Sequence, residues 1–212
     1  MSARVVFVSG IDTGIGKTYA TGYLARREME KGLKVATLKL VQTGNEGFSE
    51  DIKTHRAIMG ASLPEDADFT TAPQIFRFPS SPELAARLEG REVDTGKIAA
   101  SVAKLAGRYD AVFVEGAGGL MVPLKENLLA VDFAAAMGWS VLLVTCARLG
   151  SVNHTLLSLE AILARRMALD GVAFNWCEGA DPEIAKDTMN VVRRYLSAKG
   201  LGEVPFVTIP KL

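Results

Sequence analysis

The most informative part of the chain reads Gly10-Ile11-Asp12-Thr13-Gly14-Ile15-Gly16-Lys17-Thr18, directly after the apolar residues Val5-Val6-Phe7-Val8. This order predicts a buried strand that runs into a glycine-rich loop and then into a helix, which is the context of a phosphate-binding loop. Backbone N–H groups of such a loop converge on phosphate oxygens, and the following helix turns the positive end of its dipole toward the anion. Lys17 is predicted to reach the β- and γ-phosphates, and the Thr18 hydroxyl to ligate Mg²⁺. Five residues separate Gly10 from Gly16, whereas the usual pattern has four.

Length and composition restrict the class of protein. The 212 residues predict a single domain over positions 1–212, large enough to bury a full core. Lys and Arg together number 24, as do Asp and Glu, so no charge surplus favours nucleic acid or a membrane surface as a partner. No apolar run approaches the roughly 18 residues of a membrane-spanning helix, and the first residues do not resemble a signal peptide. Cys146 and Cys177 are the only cysteines; we expect buried thiols in a reducing, cytoplasmic compartment.

Apolar runs alternate with helical patterns along the whole chain. Strands are predicted at Val5–Ser9, Val35–Leu40, Ala111–Glu115, Ser140–Thr145, Val172–Asn175 and Phe206–Ile209, and helices near 17–31, 50–59, 81–89, 94–107, 128–137, 151–168 and 181–198. This alternation predicts an α/β fold: a parallel sheet with helices on both faces, in the three-layer arrangement of P-loop NTPases. Ligands of such sheets bind beyond the carboxyl ends of the strands, so the site is expected there.

Three charged residues are predicted to lie near the phosphates. Glu115, followed by Gly116-Ala117-Gly118-Gly119, ends a buried strand downstream of the loop, as a Walker B carboxylate does, and is expected to hold Mg²⁺ directly or through water. Lys39 ends the second strand and can neutralise anionic charge, although a solvated lysine at a strand end is equally common. Asp51 opens the next helix, where it is either a carboxylate favoured by the helix dipole or a further Mg²⁺ ligand.

The segment Arg148-Leu149-Gly150-Ser151-Val152-Asn153-His154 follows another predicted strand. Ser151 is expected to cap the next helix, whose exposed N–H groups can hold a carboxylate. His154 is interpreted as structural because no Ser or Cys nucleophile pairs with it in a recognisable motif. His55 lies in no motif and receives no role.

Taken together, these residues resemble the dethiobiotin synthetases over nearly the whole chain. The matching motifs, in family order, are Gly10-x-Asp12-Thr13-x-x-Gly16-Lys17-Thr18, Lys39-x-Val41-x-Thr43-Gly44, Val114-Glu115-Gly116-Ala117-Gly118-Gly119, Leu149-Gly150-x-x-Asn153-His154, Asn175 and Gly202-Glu203-Val204-Pro205. The resemblance implies ATP-dependent closure of the ureido ring of dethiobiotin from 7,8-diaminopelargonic acid and CO₂ (or bicarbonate), through a carbamate and a carbamic–phosphoric anhydride. It also implies a homodimer with sites at the subunit interface.

The resemblance further implies roles for individual residues. Lys39 and Lys17 are the expected catalytic residues, and Thr18, Asp51 and Glu115 the expected Mg²⁺ ligands. The residues expected to contact ATP are Gly14, Ile15, Gly16, Lys17, Thr18, Glu115, Gly116, Ala117, Gly118, Asn175, Trp176, Pro205, Phe206 and Val207. The residues expected to bind the substrate are Thr43, at its amine or carbamate end, and Gly150, Ser151, Val152 and Asn153 of the neighbouring subunit, at its tail carboxylate.

The chain departs from the family pattern at a few positions. Trp176 follows Asn175 where the family often has Asp, so the indole is expected to stack on or flank the base. A Tyr that helps to hold the tail carboxylate in some relatives is replaced near Thr188, and the chain ends at Pro210-Lys211-Leu212, where relatives often continue around the nucleotide. We therefore expect loose discrimination between ATP, GTP and CTP.

Three other functions fit parts of the sequence. A partition-type switch ATPase would carry a lysine early in the loop, where this chain has Asp12. A relative of the cobyric acid synthases, or the ATPase domain of a larger enzyme, would need a further domain that 212 residues do not accommodate. A nucleotide-binding protein without catalysis would not require Lys39 and Glu115 to coincide with the loop.

Overall fold

A parallel sheet lies at the centre of the computed structural model, which describes residues 3–176 and 179–210. The described strands are β1 (Arg4–Gly10), β2 (Val35–Lys39), β3 (Gln42–Thr43), β4 (Ile75–Phe76), β5 (Ala111–Gly119), β6 (Pro123–Lys125), β7 (Leu128–Leu129), β8 (Ser140–Cys146), β9 (Leu169–Asn175) and β10 (Phe206–Ile209). Six of them form the main sheet in the order β10-β9-β8-β1-β5-β2, and every neighbouring pair is parallel.

Helices surround this sheet. They are α1 (Lys17–Glu30), α2 (Glu50–Met59), α3 (Pro82–Leu88), α4 (Thr95–Ala106), α5 (Ala130–Ala136), α6 (Ser151–Ala164) and α7 (Pro182–Ala198), together with a 3₁₀ turn at Pro64–Asp66. The predicted α/β class with a parallel sheet and helices on both faces is therefore confirmed. Side-chain oxygens of Ser49, Asp94 and Asp181 accept hydrogen bonds from the first turns of α2, α4 and α7, as N-caps do.

The structure differs from the prediction at short elements. The segment predicted to be helical over 128–137 begins instead with β7, which pairs with β6 in a hairpin, and the helix starts at Ala130. Strand β5 continues past the predicted end at Glu115 to Gly119, which pairs with Gly10 of β1. A Cβ at Gly119 would lie 3.3 Å from the Gly10 carbonyl oxygen, so glycine permits this close approach.

The central strands are buried on both faces because helices cover both sides of the sheet. Val6, Phe7 and Val8 of β1 are fully buried, as are Val112 and Val114 of β5. Each such side chain contributes roughly 1.5–3 kcal/mol to folding through the water it releases. This packing explains why the strands appear in the sequence as continuous apolar runs rather than as alternating patterns.

Strand order also determines where a ligand can bind. The chain passes from β1 to β2 and β5 on one side and then to β8 on the other, so the order reverses beside β1. Loops that leave β1 and its neighbours in opposite directions open a crevice at the carboxyl ends of the strands. The glycine-rich loop between β1 and α1 lies at this crevice.

Within residues 3–176 and 179–210, no helix has the length and apolar character needed to cross a membrane. Cys146 is buried as a free thiol, as predicted, whereas Cys177 lies outside the described residues.

The Asp66 side chain links the 3₁₀ turn that contains it to Arg56 of α2. Its carboxylate accepts hydrogen bonds from Arg56 Nε and Nη2 at 2.7 and 2.8 Å, from Thr71 Oγ1 at 2.7 Å and from Leu63 N at 3.1 Å. Burial alone would raise the pKa of Asp66, but the hydrogen bonds from Arg56 and Thr71 outweigh it and hold the pKa below its usual range. Asp66→Asn is expected to lower the free energy of unfolding at pH 7 by about 2 kcal/mol.

The pH dependence of this effect has a definite sign. A carboxylate whose folded pKa is depressed contributes stability above its unfolded pKa, about 3.9, and loses it as the pH falls through the folded value. Urea unfolding at pH 7, 5 and 3 should therefore show the difference between the wild type and Asp66→Asn shrinking below about pH 4. A difference that stays constant across this range would contradict the assignment.

Candidate active site at the carboxyl edge of the sheet

The phosphate-binding loop has the backbone that its glycines predict. Gly14 and Gly16 adopt positive φ angles of 71° and 86°, and Gly16 is the N-cap of α1. A Cβ at Gly16 would collide with the side-chain amide of Asn175, at the end of β9. Glycine is therefore required here both by the backbone conformation and by the approach of a neighbouring strand.

Lys17, the first residue of α1, extends into the loop. Its ammonium donates a hydrogen bond to the carbonyl oxygen of Asp12 at 2.8 Å, and the residue is only 6% exposed. Burial, followed by the nearby charge of Lys39, lowers the pKa of Lys17 to about 8. Anionic phosphate oxygens brought to this position would favour the charged ammonium.

Lys39 lies at the centre of a buried charge cluster. Its Nζ lies 2.8 Å from Glu115 Oε1 and 2.5 Å from Asp51 Oδ2, and donates to the Gly116 carbonyl oxygen at 3.1 Å. Burial alone would lower the pKa of Lys39, but the Glu115 and Asp51 carboxylates outweigh it and raise that pKa. Burial would raise the pKa of Glu115, but Lys39 and then His55 lower it, so Glu115 is an anion.

Three oxygen-bearing side chains converge next to this lysine. Thr18 Oγ1 lies 3.0 Å from Asp51 Oδ1 and 3.0 Å from Glu115 Oε1. A hydroxyl and two carboxylates form an all-oxygen donor set, which suits Mg²⁺ held by one or two carboxylates together with phosphate oxygens. The residues present therefore fit the predicted metal.

Two adjoining cavities open at this edge of the sheet. The first has a volume of about 450 Å³ and is lined by Thr13, Gly14, Gly16, Lys17, Thr18, Lys39, Val41, Gln42, Thr43, Asp51, Glu115, Ala117 and Gly118. The second, of about 480 Å³, is lined by Thr13, Thr43, Pro79, Ser80, Ser81, Pro82, Ala117, Gly118 and Val122. Because four residues are shared, two bound molecules would meet beside Thr13 and Thr43.

Asn175 is the last residue of β9, and Trp176 follows it. The Asn175 side-chain amide donates to the Ile15 carbonyl oxygen at 2.9 Å, which attaches β9 to the phosphate-binding loop. Trp176 is half-buried and packs edge-on against Phe174, with ring centroids 5.9 Å apart. Asn175 thus contacts the loop, and the contacts of both residues with a base stay predictions.

The segment Pro205–Val207 lies at the beginning of β10, where the Pro205 carbonyl oxygen accepts from Val172 N at 2.8 Å. Pro205 and Val207 line a separate pocket with Arg4 and Asp170, and Phe206 stacks on Phe174. The contact of these three residues with ATP stays a prediction.

The residue of β10 that pairs with Asn175 is Ile209, and Pro210 follows it. The chain holds two Pro-containing segments close together, Val204-Pro205 and Ile209-Pro210. A strand rises about 3.3 Å per residue, so these two segments lie at opposite ends of β10. Ile209 and Pro210 are thus the described residues at the carboxyl end of β10.

The Gly150–Asn153 segment lies apart from the two cavities within one subunit. Gly150, with φ of 89°, is the N-cap of α6, and Ser151 is its first helical residue. The prediction of Ser151 as the cap is therefore wrong: the buried hydroxyl accepts instead from Arg148 N at 3.4 Å. Arg148 forms an ion pair with Asp12, connecting this segment to the phosphate-binding loop.

Two parts of the site have no counterpart in the sequence prediction. His55 is fully buried, and its Nε2 lies 2.7 Å from Glu115 Oε2. Ser80 and Ser81 line the second cavity, and the Ser81 side chain caps α3 by accepting from Leu84 N at 3.4 Å. The Ser-Ser-Pro order at 80–82 indicates a helix start, but only the fold brings that start next to Thr43.

Solved structures with a similar fold include a ParA family ATPase and a MinC:MinD cell division protein complex. A ParA family ATPase from Chlorobium tepidum matches with a TM-score of 0.55 and 14% identity, over 100% of this chain and 86% of that one. A MinC:MinD complex from Aquifex aeolicus matches with a TM-score of 0.53 and 15% identity, over 99% and 82% of the two chains. At these identities the likeness concerns the fold alone.

Sequence comparisons identify the family. A family model described as AAA domain matches residues 4–209. The ATP-dependent dethiobiotin synthetase BioD of Chlorobaculum tepidum is 48% identical over 210 residues, covering 99% of this chain and 88% of the relative. ATP-dependent dethiobiotin synthetase BioD 2 of Pasteurella multocida is 45% identical over 195 residues, or 92% of each chain. With its phosphate-binding loop, buried lysine and oxygen-lined crevice, the chain thus belongs to the family of ATP-dependent dethiobiotin synthetases.

Proposed function

We propose that this enzyme uses ATP to close the ureido ring of dethiobiotin from 7,8-diaminopelargonic acid and CO₂. One amine of the substrate takes up CO₂ as a carbamate. A carbamate oxygen attacks the γ-phosphorus of ATP, ADP leaves, and a carbamic–phosphoric anhydride results. The second amine then attacks the anhydride carbon and phosphate departs as the ring closes.

The observation that carries this proposal is the pair of cavities that meet beside Thr13 and Thr43. The first contains the phosphate-binding loop with Lys17, and Lys39 lies on its wall. The second is lined by serine hydroxyls and proline rings, which suit a short chain that bears amines. Two reactants held in these cavities would meet at the shared wall, as a transfer between a carbamate and a triphosphate requires.

The charges of the first cavity suit a reaction between two anions. A carbamate and a triphosphate repel each other, so a site for both must supply positive charge where they meet. Lys17 and Lys39 carry that charge, and the buried Glu115 and Asp51 hold the Lys39 ammonium in one position. The Thr43 hydroxyl lines both cavities and is assigned to the amine or carbamate end of the substrate.

Thr18, Asp51 and Glu115 are the residues assigned to Mg²⁺. When bound there, the ion would screen the negative charge of the phosphates. The distance of 3.0 Å from Thr18 Oγ1 to each of the two carboxylates supports a shared ion. For the base of ATP, we assign Asn175, Trp176 and strand β10, with Pro205, Phe206 and Val207 as the sequence predicts and Ile209 beside Asn175.

A second copy of the chain is assigned to the tail of the substrate. Leu149 is 85% exposed and Leu157 61% exposed, on either side of the first turn of α6. Apolar side chains this exposed, next to Gly150 and the exposed Asn153, support a homodimer contact that would bring this segment to the partner's second cavity. The backbone N–H groups at the start of α6 are suited to a carboxylate.

The test is an omission assay on the purified protein. It would receive MgATP, bicarbonate and 7,8-diaminopelargonic acid, with each left out in turn, while phosphate release and product mass are followed together. Dethiobiotin is expected only when all components are present, with one phosphate released per product. Phosphate release independent of the diamine would instead favour a switch ATPase. Replacing ATP by GTP and CTP in the same assay measures the expected loose nucleotide choice as kcat/KM.

A further inference from the structure

His55 connects the charge cluster to the core of the protein. It lies on α2 one turn after Asp51, and its fully buried imidazole contacts Thr37 of β2 and Glu115 of β5. Nε2 lies 2.7 Å from Glu115 Oε2, and Nδ1 lies 3.0 Å from Thr37 Oγ1. Both ring nitrogens therefore have a hydrogen-bond partner, which restricts the ring to one orientation.

The contact with Glu115 places a proton on Nε2. A carboxylate oxygen can only accept, so Nε2 donates to Glu115 Oε2. On the other side of the ring, Arg56 Nη1 donates to Thr37 Oγ1 at 2.7 Å, and the imidazole Nδ1 lies 3.0 Å from the same hydroxyl. The ring is therefore held between Glu115 and Thr37.

The two oxygens of the Glu115 carboxylate have different partners. Oε2 accepts from His55, whereas Oε1 lies 2.8 Å from Lys39 Nζ and 3.0 Å from Thr18 Oγ1. Without a donor on Oε2, the carboxyl group could rotate and turn Oε1 away from the lysine and the threonine. Partners behind a ligating or charged group commonly fix its orientation in this way.

We propose that His55 is a positioning residue: its Nε2–H holds Glu115 Oε2, so that Oε1 stays directed at Lys39 and Thr18. Thr37 supports the ring from the other side by occupying Nδ1, and Arg56 holds Thr37. The catalytic part of this proposal rests on the proposed function, whereas its effect on metal and nucleotide binding does not. His55 does not line either cavity, so it acts through Glu115.

Two amide substitutions separate this role from general support of the core. In His55→Gln, the side-chain amide nitrogen occupies about the position of Nε2 and can still donate to Glu115. In His55→Asn, the amide nitrogen reaches only about the position of Nδ1, so the contact with Glu115 is lost. Both variants place a neutral amide in the same buried space, and thermal unfolding of each is the control for folding.

The first readout needs no turnover. Binding of Mn²⁺ in the presence of ADP would be measured by electron paramagnetic resonance on the full chain. His55→Asn is expected to weaken Mn²⁺ binding about 10–100-fold, and His55→Gln to stay within about threefold of the wild type. Equal Mn²⁺ affinities for the two variants, with both folded, would overturn the proposal.

Steady-state kinetics form the second readout. In the omission assay, His55→Asn should lower kcat while the KM for the diamine changes little, because the second cavity is intact. If the wild type made no dethiobiotin, the proposed function would fail, but the comparison of Mn²⁺ affinities would still decide the role of His55.

A second pair of variants covers the case in which His55→Asn does not fold. Thr37→Val removes the hydroxyl that holds Nδ1, whereas Thr37→Ser keeps it. Thr37→Val is expected to weaken Mn²⁺ binding several-fold relative to Thr37→Ser. Identical Mn²⁺ affinities in this pair would count against a positioning role.

Discussion

Lys39→Ala is expected to lower kcat by at least about 10³-fold, since Lys39 is assigned to the charge that develops between carbamate and phosphate. The same change leaves the buried Glu115 and Asp51 carboxylates, 2.8 and 2.5 Å from Nζ, without their cation. Removing one member of a buried ion pair costs about 3–5 kcal/mol, so the metal-free variant should also be much less stable. Steady-state kinetics and urea unfolding measure the two effects.

Mg²⁺ provides a sharper test of this cluster. A divalent ion bound by Asp51 and Glu115 would replace part of the lost positive charge in Lys39→Ala. The melting temperature of Lys39→Ala is therefore expected to rise more with Mg²⁺ than that of the wild type. An equal rise in both proteins would contradict the assignment of these carboxylates to the metal.

Two other lysines serve as controls. Lys17 donates to the carbonyl oxygen of Asp12 rather than to a carboxylate, so Lys17→Ala should lower kcat without the large loss of stability. Lys53 is exposed on α2, and Lys53→Ala should change neither quantity. Wild-type kcat in Lys39→Ala would refute the central role of this lysine.

Glu115→Gln is the second change with a large expected effect. The Glu115 carboxylate is 1% exposed and contacts Lys39, Thr18 and His55. A neutral amide keeps the shape of the side chain but removes the anion, so Lys39 retains only Asp51 as a carboxylate partner. We expect kcat to fall about 10²-fold and the Mg²⁺ concentration at half-maximal rate to rise by at least about tenfold.

Glu115→Asp is the matched control because it keeps the charge and shortens the side chain by one methylene. A carboxylate withdrawn toward β5 cannot reach His55, Lys39 and Thr18 together, so an intermediate loss is expected. Titrating Mg²⁺ at saturating substrates separates the effect of charge from that of reach. If Glu115→Gln kept the wild-type Mg²⁺ requirement, Glu115 would not be a metal ligand.

The main strands and helices could be predicted from the sequence because their signals are local. Val6–Val8 and Val112–Val114 are buried on both faces of the sheet, which leaves no polar alternation and gives continuous apolar runs. Gly14 and Gly16 are predictable for a similar reason, since a tight loop before a helix requires positive φ angles. The two-residue strands β3, β4 and β7 were not predictable, because two residues show no periodicity.

Part of the site was also predictable. Lys17 and Thr18 begin the helix after the glycine-rich loop, Lys39 ends β2 and Glu115 lies near the end of β5, and the carboxyl ends of parallel strands meet at one edge. Asp51 had two interpretations from the sequence, as a carboxylate favoured by the helix dipole or as a Mg²⁺ ligand. In the structure its carboxylate lies 2.5 Å from Lys39 Nζ, an ion pair that neither interpretation included.

What the sequence by itself determined was the order of the elements, the phosphate-binding loop and the charged residues at the strand ends, because each depends on neighbours within a few positions. Only the tertiary structure decided that His55 holds Glu115, that Ser80 and Ser81 line a second cavity, and that Ile209 rather than Pro205 stands beside Asn175. These relations join residues far apart in the chain. They depend on strand order, on register and on which face of a helix packs inward, and such long-range geometry leaves no local pattern in the sequence.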